Sequence, residues 1–577
     1  MSDMLSIGTS ALLAYRNALN VVSHNIANAN TDGYSRERVD LQAVPGAAST
    51  TGTIGDGVTV QSVQRISNSF VQAQLVTDDA SYNRINTYQT YASQADAALS
   101  DSSAGLASPL QGFFDSLNSL ASTPTSSSTR QGVLYAAQTL SSTFNNLQSQ
   151  LASLDSQIAG STATTVSQIN AYAKQLAQLN TAISQATAQG NGQAPNDLLD
   201  QRDQLLRNIG SDIGITSTSN ADGSVNVFLG SGQALVLGSN ANSLSLQADA
   251  YGQKQDVVLN SGNSKSIITS QVSGGSLGGL LDAQRELIDP AISQLGKLAV
   301  TLASAVNAQN AKGMDQYGQL GGALFSVPPP AVTASSANTG SGSVSASIAD
   351  ASQLSGSDYV LKYNGSGWSM TDAASGASIA LSGDGSAANP LTGAGLSIVT
   401  GGTPAAGDQF LVRPTYGAAG SIAVTTSDPG KVAAAAPVQV KAGGGNSGAA
   451  RVGGVTVSDA GNASLLATSV IQFTSATTYS VNGAGSYAYT SGTPISVNGV
   501  QLQLSGTPAA GDSFTVSANS GGSGDNSNAT LLAGIANQTL LNGGVDTLAS
   551  ANASLHAAPL ALPSVSAPDS LSSAAAA

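Results

Sequence analysis

Few residues in this chain could do chemistry. Its 577 residues include two histidines, His24 and His556, and no cysteine. Disulfides, thiol nucleophiles and thiolate metal sites are therefore excluded. A zinc site or a Ser/His/Asp triad would have to use His24 or His556. His24 falls on the surface of a helical pattern and His556 in an unpatterned tail. No Gly-x-x-x-x-Gly-Lys-Ser/Thr run exists, so there is no P-loop. Asp78-Asp79 pairs two carboxylates, on what reads as a solvated helix face. Gly521-Gly522-Ser523-Gly524-Asp525 resembles one fragment of a calcium-binding glycine repeat, but it occurs once, its aspartate is one position early, and it reads as a linker. The remaining candidates, Asp408 and Asp512, lie in a repeated turn described below. The expectation is a chain with no catalytic residue, no cofactor and no metal.

Composition points the same way. Charged residues are 9%, aromatics 4%, and the formal net charge is -14. An ordinary globular domain carries about 25% charged residues. Without a basic patch, nucleic acid is excluded as a partner. No run of ~18 apolar residues exists, so no membrane span is expected. The N-terminus lacks a secretory pattern: Asp3 stands where basic residues belong, and the first basic residue is Arg16.

The elements that would position any site begin with the first stretch. Leu5, Leu12, Tyr15, Leu19, Val22 and Ile26, with Gly8 filling one gap, step by 3 and 4. That is an a/d seam, which wants another helix along it. One helix of this length is marginal alone in water, so it should stay disordered until a partner covers it. Asn28, Asn30, Asp32 and Gly33 then stop the helix.

The run Asn25-Ile26-Ala27-Asn28-Ala29-Asn30-Thr31-Asp32-Gly33-Tyr34-Ser35-Arg36 resembles the N-terminal signature of bacterial flagellar axial proteins, the rod, hook and hook-associated proteins. The Gly33-Tyr34-Ser35-Arg36 ending is most similar to the hook-associated members. Gly55-x-Gly57-Val58-x-Val60-x-x-Val63-x-Arg65 and the stretch Asn196-Asp197-Leu198-Leu199-Asp200-Gln201-Arg202-Asp203-Gln204-Leu205-Leu206 look like the same family. The resemblance implies a structural subunit at the junction of hook and filament, outside the cell. It would leave by the flagellar type III route and polymerise through terminal helices. Implied partners are copies of itself in a ring, the hook protein, the next junction protein on the filament side, and an export chaperone that grips a C-terminal helix.

Further along, Leu75, Tyr82, Ile85, Ala92 and Leu99 mark a second helix, and Leu110, Phe113, Phe114, Leu117 and Leu120 a short third. Val133, Ala137, Leu140, Phe144, Leu147, Leu151, Leu154 and Ile158 step by 4 and 3, and Ile169, Tyr172, Leu176, Leu179 and Ile183 resume the seam. One helix over 130–188 would be ~85–90 Å long at ~1.5 Å per residue, with Gly160 its weak point. Alternation at Val225, Val227, Leu229, Leu235 and Leu237 predicts a small β insertion at about 211–272. Helix returns from Leu277 to Val306, kinked at Pro290.

Beyond Pro328-Pro329-Pro330 the chain turns β-rich. Gly402-Thr403-Pro404-Ala405-Ala406-Gly407-Asp408-x-Phe410-x-Val412 recurs 104 residues later as Gly506 to Val516. Each copy follows a tyrosine-bearing strand, Tyr359–Tyr363 and 479–481, so two related β modules are expected. The expected fold is multidomain α + β: a long helical bundle or coiled-coil rod from the N-terminal half, two small β-rich modules, and termini disordered in the monomer. Its parts are 1–53 (assembly helix and motif), 54–330 (helical rod with the β insertion), 331–430 and 431–522 (β modules), and a divergent, disordered tail at 523–577. Pro559, Pro563 and Pro568 break any long helix there, and no Lys or Arg follows Arg451. This tail argues against the chaperone contact. The competing reading is a secreted adhesin or carbohydrate-binding surface protein on a helical stalk, using Asp408 and Asp512.

Overall fold

Heptad spacing governs the first half of the computed structural model, which describes residues 2–46, 48–49, 52–53, 55–100, 105–190, 193–230, 232–522 and 524–557. Helices run over α1 (Ser2–Ala27), α2 (Ser69–Ser100), α3 (Ala107–Ser122), α4 (Ser127–Gln189) and α5 (Asn196–Asp212). Two compact units are present among the described residues: one falls within 2–94 and 154–287, the other within 95–153 and 288–557. The multidomain α + β class is as expected, with long helices first and sheets after.

The long helix α4 has 63 residues and is continuous through Gly160. At ~1.5 Å per residue it is ~95 Å long. Its predicted first seam, Val133 to Ile158, is buried throughout. The second half differs from the expected register. Thr162, Val166, Ala173 and Asn180 are buried with Ile169, Leu176 and Ile183, while Tyr172 and Leu179 are only half-buried. The cause is the β insertion, which packs on this face and takes polar partners. Asn180 donates to the Val225 carbonyl (2.8 Å) and accepts from its N–H (3.0 Å). Asn170 does the same to Leu244.

In the first unit α1 is followed by β1 (Glu37–Ala43), the short β2 (Ala48–Ser49) and β3 (Gly52–Thr53), and β4 (Val58–Arg65). β1 pairs antiparallel with β4. The insertion has two sheets. β5 (Ile215–Ser219), β6 (Val225–Leu229), β7 (Gln233–Leu237) and β8 (Asn240–Ala241) pair in chain order. β9 (Ser243–Ala248) and β11 (Ser264–Ile267) flank β10 (Gln255–Ser261). Val227, Leu235, Val257 and Ile209 join α4 residues in one core. On α2 the predicted face splits: Leu75 and Tyr82 are exposed, whereas Ala92 and Leu99 are buried.

The helix expected around Pro290 is α6 (Gly275–Asp282) and α7 (Asp289–Asn310), joined by a π-helical stretch, Ala283–Ile288. The irregularity thus precedes the proline. Pro290 sits in the first turn of α7, where its missing N–H costs nothing.

In the second unit the sequence duplication is a duplication of topology. β12 (Ala331–Ala334), β13 (Ser343–Ile348), β14 (Tyr359–Tyr363), β15 (Trp368–Asp372), β16 (Ser378–Ile379), β17 (Leu391–Gly393), β18 (Leu396–Gly401) and β19 (Gln409–Arg413) make sheets 12-19-14-15-16 and 13-18-17. β20 (Val438–Ala442), β21 (Arg451–Val457), β22 (Ser469–Phe473), β23 (Thr478–Val481), β24 (Ala484–Ala488), β25 (Pro494–Val497), β26 (Val500–Ser505) and β27 (Ser513–Ala518) repeat that order as 20-27-22-23-24 and 21-26-25. One detail of the sequence match is corrected: β14 corresponds to β22, not to the tyrosine-bearing β23, which corresponds to β15.

The tail is also corrected. Residues 524–557 fold as α8 (Ser527–Gly534) and α9 (Leu548–Ala557), with a 3-10 turn at Ile535–Asn537. Leu532, Ile535, Leu541, Leu548 and Leu555 are buried. Asn528 bridges the Ala433 carbonyl (2.6 Å) and Gln309 (2.7 Å). The prolines that argued for disorder begin only at Pro559, and 558–577 lie outside the described residues.

Two helix glycines should respond oppositely to alanine. A Cβ at Gly160 meets nothing within 4 Å, whereas at Gly296 it would fall 1.8 Å from the Thr415 carbonyl oxygen. Gly160→Ala should stabilise by ~1 kcal/mol, and Gly296→Ala should destabilise by about 1–3 kcal/mol through overpacking, both read by chemical denaturation. Asp212 at the C-terminal end of α5 has an unpartnered buried Oδ2. Burial pushes its carboxyl up from 3.8 to about 6. A raised folded pKa means stability present below about pH 3.8 and lost as pH rises through about 6. Asp212→Asn should therefore melt higher than the parent at pH 7.5, and the difference should vanish by about pH 4.

Candidate functional site

The three family-like stretches, far apart in sequence, meet at the end of α1. Asn25 is the first staple. Its Nδ2 donates to the Glu37 carbonyl (2.9 Å), and its Oδ1 accepts from the Glu37 N–H (2.8 Å) and the Tyr34 hydroxyl (2.8 Å). Helix end, signature loop and β1 are thereby fixed to one amide. Asn28 donates to the His24 carbonyl (3.1 Å) and accepts from Thr31 Oγ1 (3.2 Å), closing the turn. Burial, then the carboxylates of Glu37, Asp200 and Asp197, push the Tyr34 phenol up, so it remains a donor.

Gly33 is required by geometry. Its φ is +81°, and a Cβ there would stand 2.8 Å from Gln204 Oε1 on α5. Gly57 serves the second stretch: with φ +106°, a Cβ would lie 2.2 Å from Ser10 Oγ, where the hairpin crosses α1.

The charged centre is Arg65. Its guanidinium forks to Asp200 Oδ1 (2.6 Å) and Asp203 Oδ2 (2.7 Å) of α5. Asp200 Oδ2 accepts from the Ser35 N–H (3.0 Å), and Asp203 Oδ1 from Arg202 (2.7 Å). Asn196 donates to Glu37 Oε1 (2.6 Å) and the Val63 carbonyl (3.0 Å). Two guanidiniums and two carboxylates balance, and nearly every polar atom has a partner. Residue spacing did not reveal the roles of Asn196, Asp200 and Asp203. The available signal was a cluster of charges in a chain almost devoid of them.

The signature therefore splits. Asn25, Asn28, Thr31, Gly33, Tyr34 and Ser35 hold the fold together. Ala27, Asn30 and Arg36 are exposed. Beside the loop lies an open cleft of about 810 Å³ lined by residues including His24, Tyr34, Gln178, Asp197 and Gln204. His24 faces Tyr34 edge-on at 5.4 Å and lies 3.5 Å from Glu37. His556 lies outside the residues whose side chains are described. No group of three or more His, Cys, Asp or Glu able to hold a metal occurs among the described residues.

The six seam residues of α1 point away from all this. Leu5, Leu12, Tyr15, Leu19, Val22 and Ile26 are 50–77% exposed. The helix is instead seated through a neighbouring stripe of smaller residues: Ile7, Ala11, Ala18 and Val21 are half-buried and Ala14 fully buried, against β1 and β4. Those positions also step by 4 and 3, so α1 carries two parallel seams. The greasier one has no cover among the described residues.

Asp408 and Asp512 are closed as ligand sites. Asp408 accepts from the N–H groups of Ala405 (2.9 Å), Thr339 (2.9 Å) and Gly340 (3.2 Å). Asp512 accepts from Ala509 (2.9 Å), Ser447 (2.8 Å) and Gly448 (3.1 Å). These donors hold both carboxyls below the usual carboxylate range. A partner motif escaped the sequence reading. Asn338-Thr339-Gly340 and Asn446-Ser447-Gly448 each clamp the strand after the aspartate, through both atoms of the asparagine amide.

Comparison with known proteins agrees with this geometry. The model of the flagellar hook-associated protein FlgK helical domain matches residues 92–325. A flagellar hook-associated protein 1 D2-like domain matches 333–414, and a flagella basal body rod protein model matches 5–34. The chain is 32% identical to flagellar hook-associated protein 1 of Escherichia coli over 438 residues, 75% of this chain and 80% of that one. It is 33% identical to the Salmonella typhimurium protein over 439 residues, 75% and 79% of the two chains. The solved flagellar hook junction protein FlgK from Burkholderia pseudomallei superposes with a TM-score of 0.75 at 32% identity, covering 84% of this chain and 95% of that one.

Removing Arg65 should loosen the whole knot. Arg65→Ala leaves two buried carboxylates without their fork and should destabilise the first unit by about 3–5 kcal/mol. Faster proteolysis between Gly33 and Arg38, with the second unit's melt unchanged, is the expected reading.

Proposed function

This chain belongs to the flagellar hook-associated protein 1 family, and from that premise we propose how its geometry serves the flagellum. It is a secreted structural subunit at the junction between hook and filament, in contact with hook and filament-junction proteins. The observation that carries the mechanism is the bare apolar seam of α1, held out from a buried, hydrogen-bonded polar knot. Copies join into a ring as those seams are covered, and each large side chain removed from water contributes roughly 1.5–3 kcal/mol. The β modules lie outward and add no catalytic chemistry. The chain is exported by the flagellar type III route.

The adhesin reading has no remaining support in the site. Its two candidate aspartates already have backbone partners on their carboxylates. An export chaperone stays a proposed partner on the family relationship alone, and the prolines of the tail argue against it.

Leu12→Ser with Leu19→Ser separates assembly from folding. Both side chains are exposed in the monomer, so the purified variant should melt like the parent. Cells carrying it should secrete the protein and lack filaments. Normal filaments, counted by electron microscopy, would overturn the proposal.

A further inference from the structure

Lys297, in the middle of α7, is 1% exposed, yet no carboxylate forms an ion pair with it among the described residues. A buried ammonium is ordinarily paired. Nζ donates instead to two neutral oxygens, the Ser355 carbonyl (3.3 Å) and Asn542 Oδ1 (2.5 Å). Burial pushes the ammonium below the ordinary lysine value, against the opposing pull of Asp546. The neutral amine, which is the nucleophilic form, is thereby brought closer to hand.

Asn542 is placed to receive that amine. It lies in the turn that Leu541 and Asp546 close, at a φ of +53°, a region asparagine enters more readily than most residues. Its Nδ2 donates to Asp546 Oδ2 (2.5 Å). One carboxamide thus has an amine on its oxygen side and a carboxylate on its nitrogen side. With a C=O bond of ~1.23 Å, Nζ stands no more than ~3.7 Å from Cγ, close to the separation of a near-attack geometry. Asn542 is exposed, so its nitrogen has an exit to water. Asn542-Gly543 could also cyclise on itself and deamidate, but the Gly543 N–H donates to the Ser352 carbonyl (3.0 Å), which engages that competing nucleophile.

We propose that Lys297 and Asn542 condense into an intramolecular isopeptide bond, with Asp546 carrying the protons. The ammonium first gives a proton to the Asp546 carboxylate. The freed amine pair attacks Cγ, and the Nζ–Cγ bond forms. Asp546 passes its proton to Nδ2 and takes the second one that Nζ sheds. The Cγ–Nδ2 bond then breaks, and ammonia leaves with that electron pair. Ammonia takes the proton Asp546 holds, which restores the carboxylate. Nothing is oxidised or reduced. The product is a secondary amide that ties α7 to the turn before α9, across 245 residues of chain. A chain without cysteine gains in this way the kind of closure a disulfide gives. Lysine and asparagine meet only after folding, so the bond cannot form in an unfolded chain.

Mass spectrometry of the purified full chain tests this. After incubation at neutral pH the folded protein should be lighter than its sequence by one ammonia. Trypsin should then fail at Lys297 and leave 286–312 attached to 452–577, a peptide left whole because no Lys or Arg follows Arg451. Lys297→Met and Asn542→Ala should each have the mass of their own sequence and release 452–577. Asp546→Asn should do the same while keeping the parent's circular-dichroism spectrum. If that variant misfolds, the parent's peptide map decides alone. A parent of unaltered mass whose Lys297 is cut by trypsin would overturn the proposal. So would an ammonia loss that persists in Lys297→Met, since that places the change in a succinimide at Asn542-Gly543.

Discussion

A single guanidinium anchors the entry of this chain into its fold. Arg65 ends β4, and its two carboxylate partners both come from α5, 135 and 138 residues further on. In water such a pair contributes little. Here it is buried, forked and extended by hydrogen bonds to the Ser35 backbone and to Arg202, the geometry in which charge-assisted contacts are strongest. The chain spends few charges elsewhere, so this cluster is where its electrostatic order is concentrated. The hairpin is fixed by it, and α1 is seated on the hairpin. The direction in which the apolar seam faces thus traces back to one residue.

Much of this was legible beforehand. Heptad steps located α1, α3, α4 and α7, because helix burial is periodic and the sequence repeats that period faithfully. The alternation at Val225 to Leu237 located the insertion. Where the reading slipped, a polar residue had taken a core position. Asn180 was passed over in favour of Leu179, since an asparagine looks misplaced in a seam until the strand it bonds is known. The same blindness affected 524–557, where buried asparagines and short leucine runs looked like a solvated tail.

The site was legible in its location and not in its logic. Leu5 to Ile26 could be identified as an apolar seam because six large apolar residues recur there at heptad spacing. The signature residues gave no such hint. Whether Asn25, Gly33 or Tyr34 binds a partner or closes a turn depends on neighbours more than a hundred residues away. In the structure most of them are consumed internally, which leaves the apolar seam, not the signature, as the surface open to other molecules.

The ends of the two β modules have a consequence of their own. Ala331 sits opposite Arg413, and Val438 opposite Ala518, on neighbouring strands. The chain enters and leaves each module at one doorway, ~5 Å wide. A gene can copy such a block in tandem, or lose one, without any detour in the remaining path. Size differences among descendants of this chain should accordingly come in whole-module increments between 331 and 518, while the helical sequence around them changes only letter by letter.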